Sequence, residues 1–115
     1  MGKDVKCDYD SDLDIIHIYF SEIDSDIKGC LSYGNFNLDI EEDGRVLGIE
    51  LEGASSLLKM PSEILSNLDS ADLIIRKSGN TLFIGFTVIK GEQKSTIQMN
   101  IPNIPTQRNK LTITN

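Results

Sequence analysis

The chain has 115 residues, about one domain's length, and at that size roughly two-thirds of the unfolded surface is buried on folding, so a packed core needs no staples. Its net charge is -7, unevenly placed: residues 1–57 hold fourteen Asp and Glu against four Lys and Arg, residues 58–115 four against seven. An acidic half repels phosphate, which argues against nucleic acid as a direct partner and favours cations, basic protein surfaces or the positive half of another copy.

Taken in chain order, residues 3–9 and 14–20 read as two strands of a hairpin. In "DIIHIYF" Ile16, Ile18 and Phe20 share one face, while Ile15, His17 and Tyr19 share the other. The join, "DYDSDLD", has an aspartate at every second position. On an extended strand such carboxylates sit ~6.6 Å apart and each neighbouring pair repels by only ~0.6 kcal/mol in water. No metal is needed to hold them, and Asp favours turns by accepting from backbone amides two residues on. A weak calcium or magnesium site at Asp8, Asp10, Asp12 and Asp14 is the alternative reading, with Glu22, Asp24 and Asp26 of the next loop as further ligands if folding brings them near.

"IKGCLSYG" reads as a weaker strand whose glycines at 29 and 34 mark bulges. "FNLDIEEDGRVLGIEL" follows. Asp39, Glu41, Asp43, Gly44 and Glu50 fit the places of a calcium-binding loop, but that loop joins two helices, and here both flanks alternate with period two. The segment therefore predicts a hairpin turning near Gly44, with Asp39 and Glu50 on extended arms.

"PSEILSNL", residues 61–68, is the one predicted helix, with Pro61 in its first turn, Glu63 near its positive end and Ile64, Leu65 and Leu68 on one stripe. Two turns do not hold alone in water, so it must pack on the sheet. Strands are then predicted at "ADLIIRK", "TLFIGFTVIK", "STIQMNI" and "KLTITN", giving about eight strands, short joins and a single domain over 1–115. A faint echo at an offset of 66 lays Ile16, Ile18 and Phe20 over Leu82, Ile84 and Phe86, as a duplicated hairpin would.

The fold class expected is α+β, mostly antiparallel β: a meander or hairpin sheet, an open barrel or a two-layer sandwich with one short helix over about 61–68. Cys7 and Cys30 match no zinc spacing, and two thiols in a chain that builds its own core fit a reducing compartment. The charged first twenty residues leave no room for a signal peptide, and no apolar run approaches a membrane-spanning length. A cytoplasmic protein that does not engage membranes is expected.

A single histidine, His17, excludes a catalytic triad or a two-histidine metal site built from one chain, and no phosphate-binding glycine motif is present. Seven aromatic residues give little with which to line a substrate cleft for carboxylate pairs such as Glu50 and Glu52. No catalytic residue and no cofactor is expected. The function predicted is a non-enzymatic binding module that engages a protein partner, or pairs with itself as a homo-oligomer, by strand addition or face packing.

"YDSDLDIIHIYFSE" and "FNLDIEEDGRVLGIELEGAS" together resemble a small prokaryotic family, domain of unknown function 2283, over about residues 5–58. Tyr9, Asp10, Asp14, Asp43, Gly44, Gly48, Ile49, Glu50, Ala54 and Ser55 occupy its pattern positions. Ser11 stands in place of the usual proline, His17 at the aromatic place and Asn37 at an apolar one. The resemblance implies a fold signature rather than an active site. Because some members are encoded beside small RelE-like toxin proteins, it also implies an antitoxin-like or partner-binding role. Residues 59–115, the helix and further strands, lie beyond it.

Overall fold

The computed structural model describes residues 5–21, 29–41 and 45–102. Along these run β1 (Val5–Asp10), β2 (Ile15–Phe20), β3 (Gly29–Tyr33), β4 (Phe36–Ile40), β5 (Val46–Glu52), α1 (Ala54–Leu58), α2 (Ser62–Leu65), β6 (Ser70–Ser78), β7 (Thr81–Lys90) and β8 (Gln93–Ile101). The strands form two antiparallel sheets, one ordered β1-β2-β5-β4-β3 and the other β6-β7-β8. Of the architectures the pattern allowed, the chain takes the two-sheet one, without a closed barrel. The "KLTITN" segment lies outside the described residues.

Period-two alternation decides which face each strand buries. Ile16 and Ile18 of β2, Leu38 and Ile40 of β4, and Ile49 and Leu51 of β5 turn one way and are almost wholly removed from water. Leu82, Ile84, Phe86 and Val88 of β7 turn to meet them, and residues of both sheets make one hydrophobic cluster, with Phe36 edge-on to Phe86. At about 25 cal/mol per Å² of apolar surface removed from water, this shared core is the main stabilising term of the fold. The opposite face of the larger sheet, bearing Lys6, Asp8, Asp10, His17, Tyr19, Asn37, Asp39, Glu50 and Glu52, is left to solvent.

Three local expectations are corrected. Gly34 is not a bulge: with φ of 62° it is a turn residue joining β3 to β4, whose register runs from Gly29 opposite Ile40 to Tyr33 opposite Phe36. The bulge falls instead on β5, where Asp39 faces Gly48 but Ile40 faces Val46, so that Leu47 is the extra residue. The helix at 61–68 is shorter than predicted. Pro61 precedes α2, and the helix ends where the Asn67 backbone amide turns to the Ile64 carbonyl at 3.0 Å and its side-chain amide takes the Glu63 carbonyl at 2.9 Å. A second helix, α1, stands where none was predicted.

The two hairpins that echo each other share face parity but not register. Cys7 faces Ile18 and Tyr9 faces Ile16 in the first; Leu73 faces Phe86 and Ile75 faces Ile84 in the second. The offset of 66 would set Leu73 opposite Ile84, so the second hairpin is slipped by two residues, its strands running on to a tighter turn between Ser78 and Thr81. A slip of two preserves which side chains face the core, as alternation requires.

Candidate functional site

Two clusters gather the residues that the sequence singled out. The first is a lock at Asp14, which occupies the left-handed region at φ of 55°, a conformation that Asp tolerates better than most residues. Its Oδ1 accepts from the Tyr9 hydroxyl at 2.6 Å and from the Ser55 amide at 3.0 Å, its Oδ2 accepts from Ser55 Oγ at 2.8 Å, and its carbonyl accepts from the Ala54 amide at 3.0 Å. A carboxylate from the β1–β2 turn thus caps the first turn of α1, whose own N-cap residue is Gly53, without a side chain to do so. The donation from Tyr9, reinforced by both donors of Ser55, holds the Asp14 carboxyl below the usual carboxylate range. Asp10 secures the same turn from its other end: its Oδ1 accepts from the amides of Asp12 at 2.9 Å and Leu13 at 3.1 Å.

The second cluster lies on the solvent face of the larger sheet. His17 Nε2 is 2.8 Å from Asp39 Oδ2. The two residues are on strands that do not touch, β2 and β4, with β5 between them. What lets them meet is Gly48, the residue of β5 that lies between Tyr19 and Asp39 in the register. A Cβ there would stand 2.7 Å from Tyr19 Cβ, 3.0 Å from the Ile18 carbonyl and 3.2 Å from Asp39 Oδ2. The extra local twist of the adjoining bulge and the missing side chain leave Asp39 a path across β5. Tyr19 stacks on the His17 ring, centroids 4.6 Å apart, and donates its hydroxyl to Asp8 Oδ2 at 3.0 Å. The bond to Asp39 raises the His17 pKa above its ordinary value against the opposing effect of burial, with the charges of Asp39, Glu50 and Asp8 adding to the rise. The bond to Asp8, then burial, pushes the Tyr19 phenol upward as well.

Next to His17 the face dips into a shallow hollow of about 250 Å³ lined by Asp8, Tyr9, Asp10, Leu13, Ile15, His17 and Glu50. Leu13, at the tip of the β1–β2 turn, is 66% exposed on its rim. Around it the sheet face presents five carboxylates, Asp8, Asp10, Asp39, Glu50 and Glu52, against Lys6 and a histidine. Some are already tied to the protein: Glu52 Oε2 accepts from the Asn37 side-chain amide at 3.1 Å, and Asn37 Oδ1 accepts from Ser32 Oγ at 2.7 Å.

The four aspartates of the alternative cation reading therefore have different addresses. Asp8 and Asp10 point to the solvent face of β1, Asp12 is exposed in the turn, and Asp14 turns its carboxylate to Tyr9 and Ser55. Among the described residues no three His, Cys, Asp or Glu side chains gather as metal ligands would. Glu22, Asp24 and Asp26 lie outside the described residues, as do Glu42, Asp43 and Gly44. Asp39 and Glu50 stand on antiparallel arms, as the alternation predicted, and Glu41 pairs with Arg45 at the neck of that hairpin.

Both cysteines are free thiols on opposite edge strands. Burial, with the neighbouring charge of Asp8, pushes the Cys7 thiol up to about 11. Burial and the charges of Asp39 and Glu50 raise Cys30 too. Neither is disposed to ionise at neutral pH.

The sequence did not find the His17–Asp39 contact, which spans 22 positions. Gly48 inside a strand was the available signal, since such a glycine marks a close approach.

Residues 6–55 match the model of the family described as Protein of unknown function (DUF2283). That segment is a domain of the DUF2283 family. The match ends at Ser55, the residue that Asp14 grips, so the matched segment takes in the strands of the larger sheet and its lock, and the β6-β7-β8 sheet lies beyond it. No curated protein and no solved structure matches the chain. Among the described residues no helix is long and apolar enough to cross a membrane.

Proposed function

We propose that the chain is a non-enzymatic protein-binding module whose docking surface is the solvent face of the DUF2283 sheet and whose partner presents Arg or Lys side chains. The observation that carries this reading is the hollow walled by Asp8, Asp10 and Glu50, with the exposed apolar side chain of Leu13 at its rim. Carboxylates around an apolar anchor suit a basic side chain whose aliphatic stem packs while its head pairs. The floor beneath is held in place by the Asp8–Tyr19–His17–Asp39 network, so little ordering entropy is lost when a partner docks. Charge of one sign also steers encounter with a basic partner.

A role without catalysis accords with thiols held protonated and with a histidine whose Nε2 is already engaged by a carboxylate. An antitoxin-like role in the cytoplasm, as the family resemblance implies, is one form of this reading. The cation alternative at Asp8, Asp10, Asp12 and Asp14 would have to draw Asp14 away from three protein donors.

The test uses capture from the native cell with two matched double variants. Asp8→Asn with Glu50→Gln removes two charges from the hollow; Asp72→Asn with Glu63→Gln removes two exposed charges elsewhere. A partner lost from the first and kept by the second supports the reading, as does its release by salt. Equal capture by both variants contradicts it.

A further inference from the structure

The smaller sheet ends in a strand that lacks the usual protection of an edge. β8 pairs with β7 over nine consecutive positions, from Leu82 opposite Ile101 to Lys90 opposite Gln93, with no bulge to twist it away. Among the described residues no strand pairs with its other side, and α1 touches β8 where Ser95 Oγ donates to the Leu58 carbonyl at 2.7 Å. Exposed edges are ordinarily blunted by charge, proline, bulges or shortness. The edge strand β1 carries Lys6, Asp8 and Asp10, β3 has five residues, and β6 carries Asp72, Arg76 and Lys77. On β8 the run from Ser95 to Ile101 has neither charge nor proline; Lys94 precedes it and Pro102 follows. Ile97 and Met99 pack on the core yet stay partly exposed at this margin.

We propose that β8 pairs antiparallel with β8 of a second copy of this chain, joining two three-stranded sheets into one continuous sheet across a two-fold axis. The sequence of β8 suits itself as partner. A two-fold that overlaps the whole of Gln93–Ile101 must pass through its middle residue, so Ile97 faces Ile97 of the second copy. Every pairing then keeps its face. Ser95 meets Met99 on the core side; Thr96 meets Gln98 and Lys94 meets Asn100 on the solvent side. No like charges oppose each other, hydroxyl and amide side chains stand opposite one another, and the apolar margin is covered twice over. A neutral strand offers a charged peptide no pairing advantage, which is why a second copy is the occupant. This surface is separate from the acidic face of the other sheet, and substitutions at Asp8 and Glu50 leave it untouched.

Asn100 provides a test specific to that register, because it is exposed and faces Lys94 of the other copy twice. Sedimentation equilibrium of the full chain is expected to show a dimer. Asn100→Lys is expected to weaken it, and Asn100→Glu to tighten it, each by about tenfold in dissociation constant, through two symmetric cross-strand charge pairs. Net charge alone predicts the reverse order, since each copy carries -7 and added lysine reduces repulsion between copies. Thermal melts confirm that both variants fold. A chain that stays monomeric overturns the proposal. A dimer whose two variants follow the net-charge order also overturns it.

Discussion

The hairpins β1–β2 and β6–β7 bury the same kind of face but hold their turns by different means. In the first, Asp10 and Asp14 fasten a four-residue turn to itself and to α1 through side-chain oxygens. In the second, Gly79 at φ of 61° makes a two-residue turn by conformation alone, and a Cβ there would meet nothing within 4 Å. The difference shows what the aspartates of the DUF2283 segment are for. A turn that must be registered against a distant helix needs polar side chains, whereas one that only reverses the chain needs a glycine. Asp69 falls between these cases: it accepts from the Gly91 amide at 2.6 Å and so pins the β7–β8 turn from outside its hairpin.

The contrast breaks most readily at Asp14. Asp14→Ala removes a charged acceptor from three donors and is expected to cost about 3 kcal/mol in urea unfolding. Asp14→Gly relieves the left-handed backbone and is expected to recover about 1 kcal/mol of that loss. Next comes Gly48→Ala, whose new methyl would collide with Tyr19 and the Ile18 carbonyl, for an expected loss of about 2 kcal/mol by the same measurement and loss of the His17–Asp39 bond. Gly79→Ala meets no neighbour, so only backbone strain is expected, about 1 kcal/mol. Equal losses from Asp14→Ala and Gly79→Ala would erase the distinction between the two turns.

The smallest expected effect is electrostatic. A His17 pKa raised in the folded state contributes stability that is fully present below the unfolded value near 6.5 and is lost as pH rises through the folded value. The pair is partly exposed, so water screens it and the change is expected to be below about 1 kcal/mol. His17→Phe, which restores the aromatic of the family pattern, should flatten that slope in urea melts taken across neutral pH. Asp14 has the opposite sign: its lowered pKa contributes stability present above the unfolded value and lost as pH falls through the folded one.

Much of the β structure was legible because alternation writes itself into Ile16 and Ile18, Leu38 and Ile40, and Leu82 to Val88. The resemblance named Tyr9, Asp14, Ala54 and Ser55 as pattern positions, but not that they touch. That contact spans 41 positions and is made by a helix of five residues, too short to show a helical period. The end of α2 was misplaced because Asn67 takes the Glu63 carbonyl with its side-chain amide, a bond that hydrophobic periodicity does not register. The meeting of His17 with Asp39 was hidden for a topological reason: β5 returns between β2 and β4, and only that strand order makes Gly48 a gap through which they reach each other.

The central claim is that the aspartates of the β1–β2 turn are divided between fastening the fold and facing a partner, with Asp14 wholly on the fastening side. Carbon-13 NMR titration of the side-chain carboxyls, with and without calcium, tests it most directly. Asp14 should titrate below the ordinary aspartate range and stay unmoved by calcium. An Asp14 that titrates at the ordinary value, or whose carboxyl resonance shifts saturably together with those of Asp8, Asp10 and Asp12 when calcium is added, would contradict it.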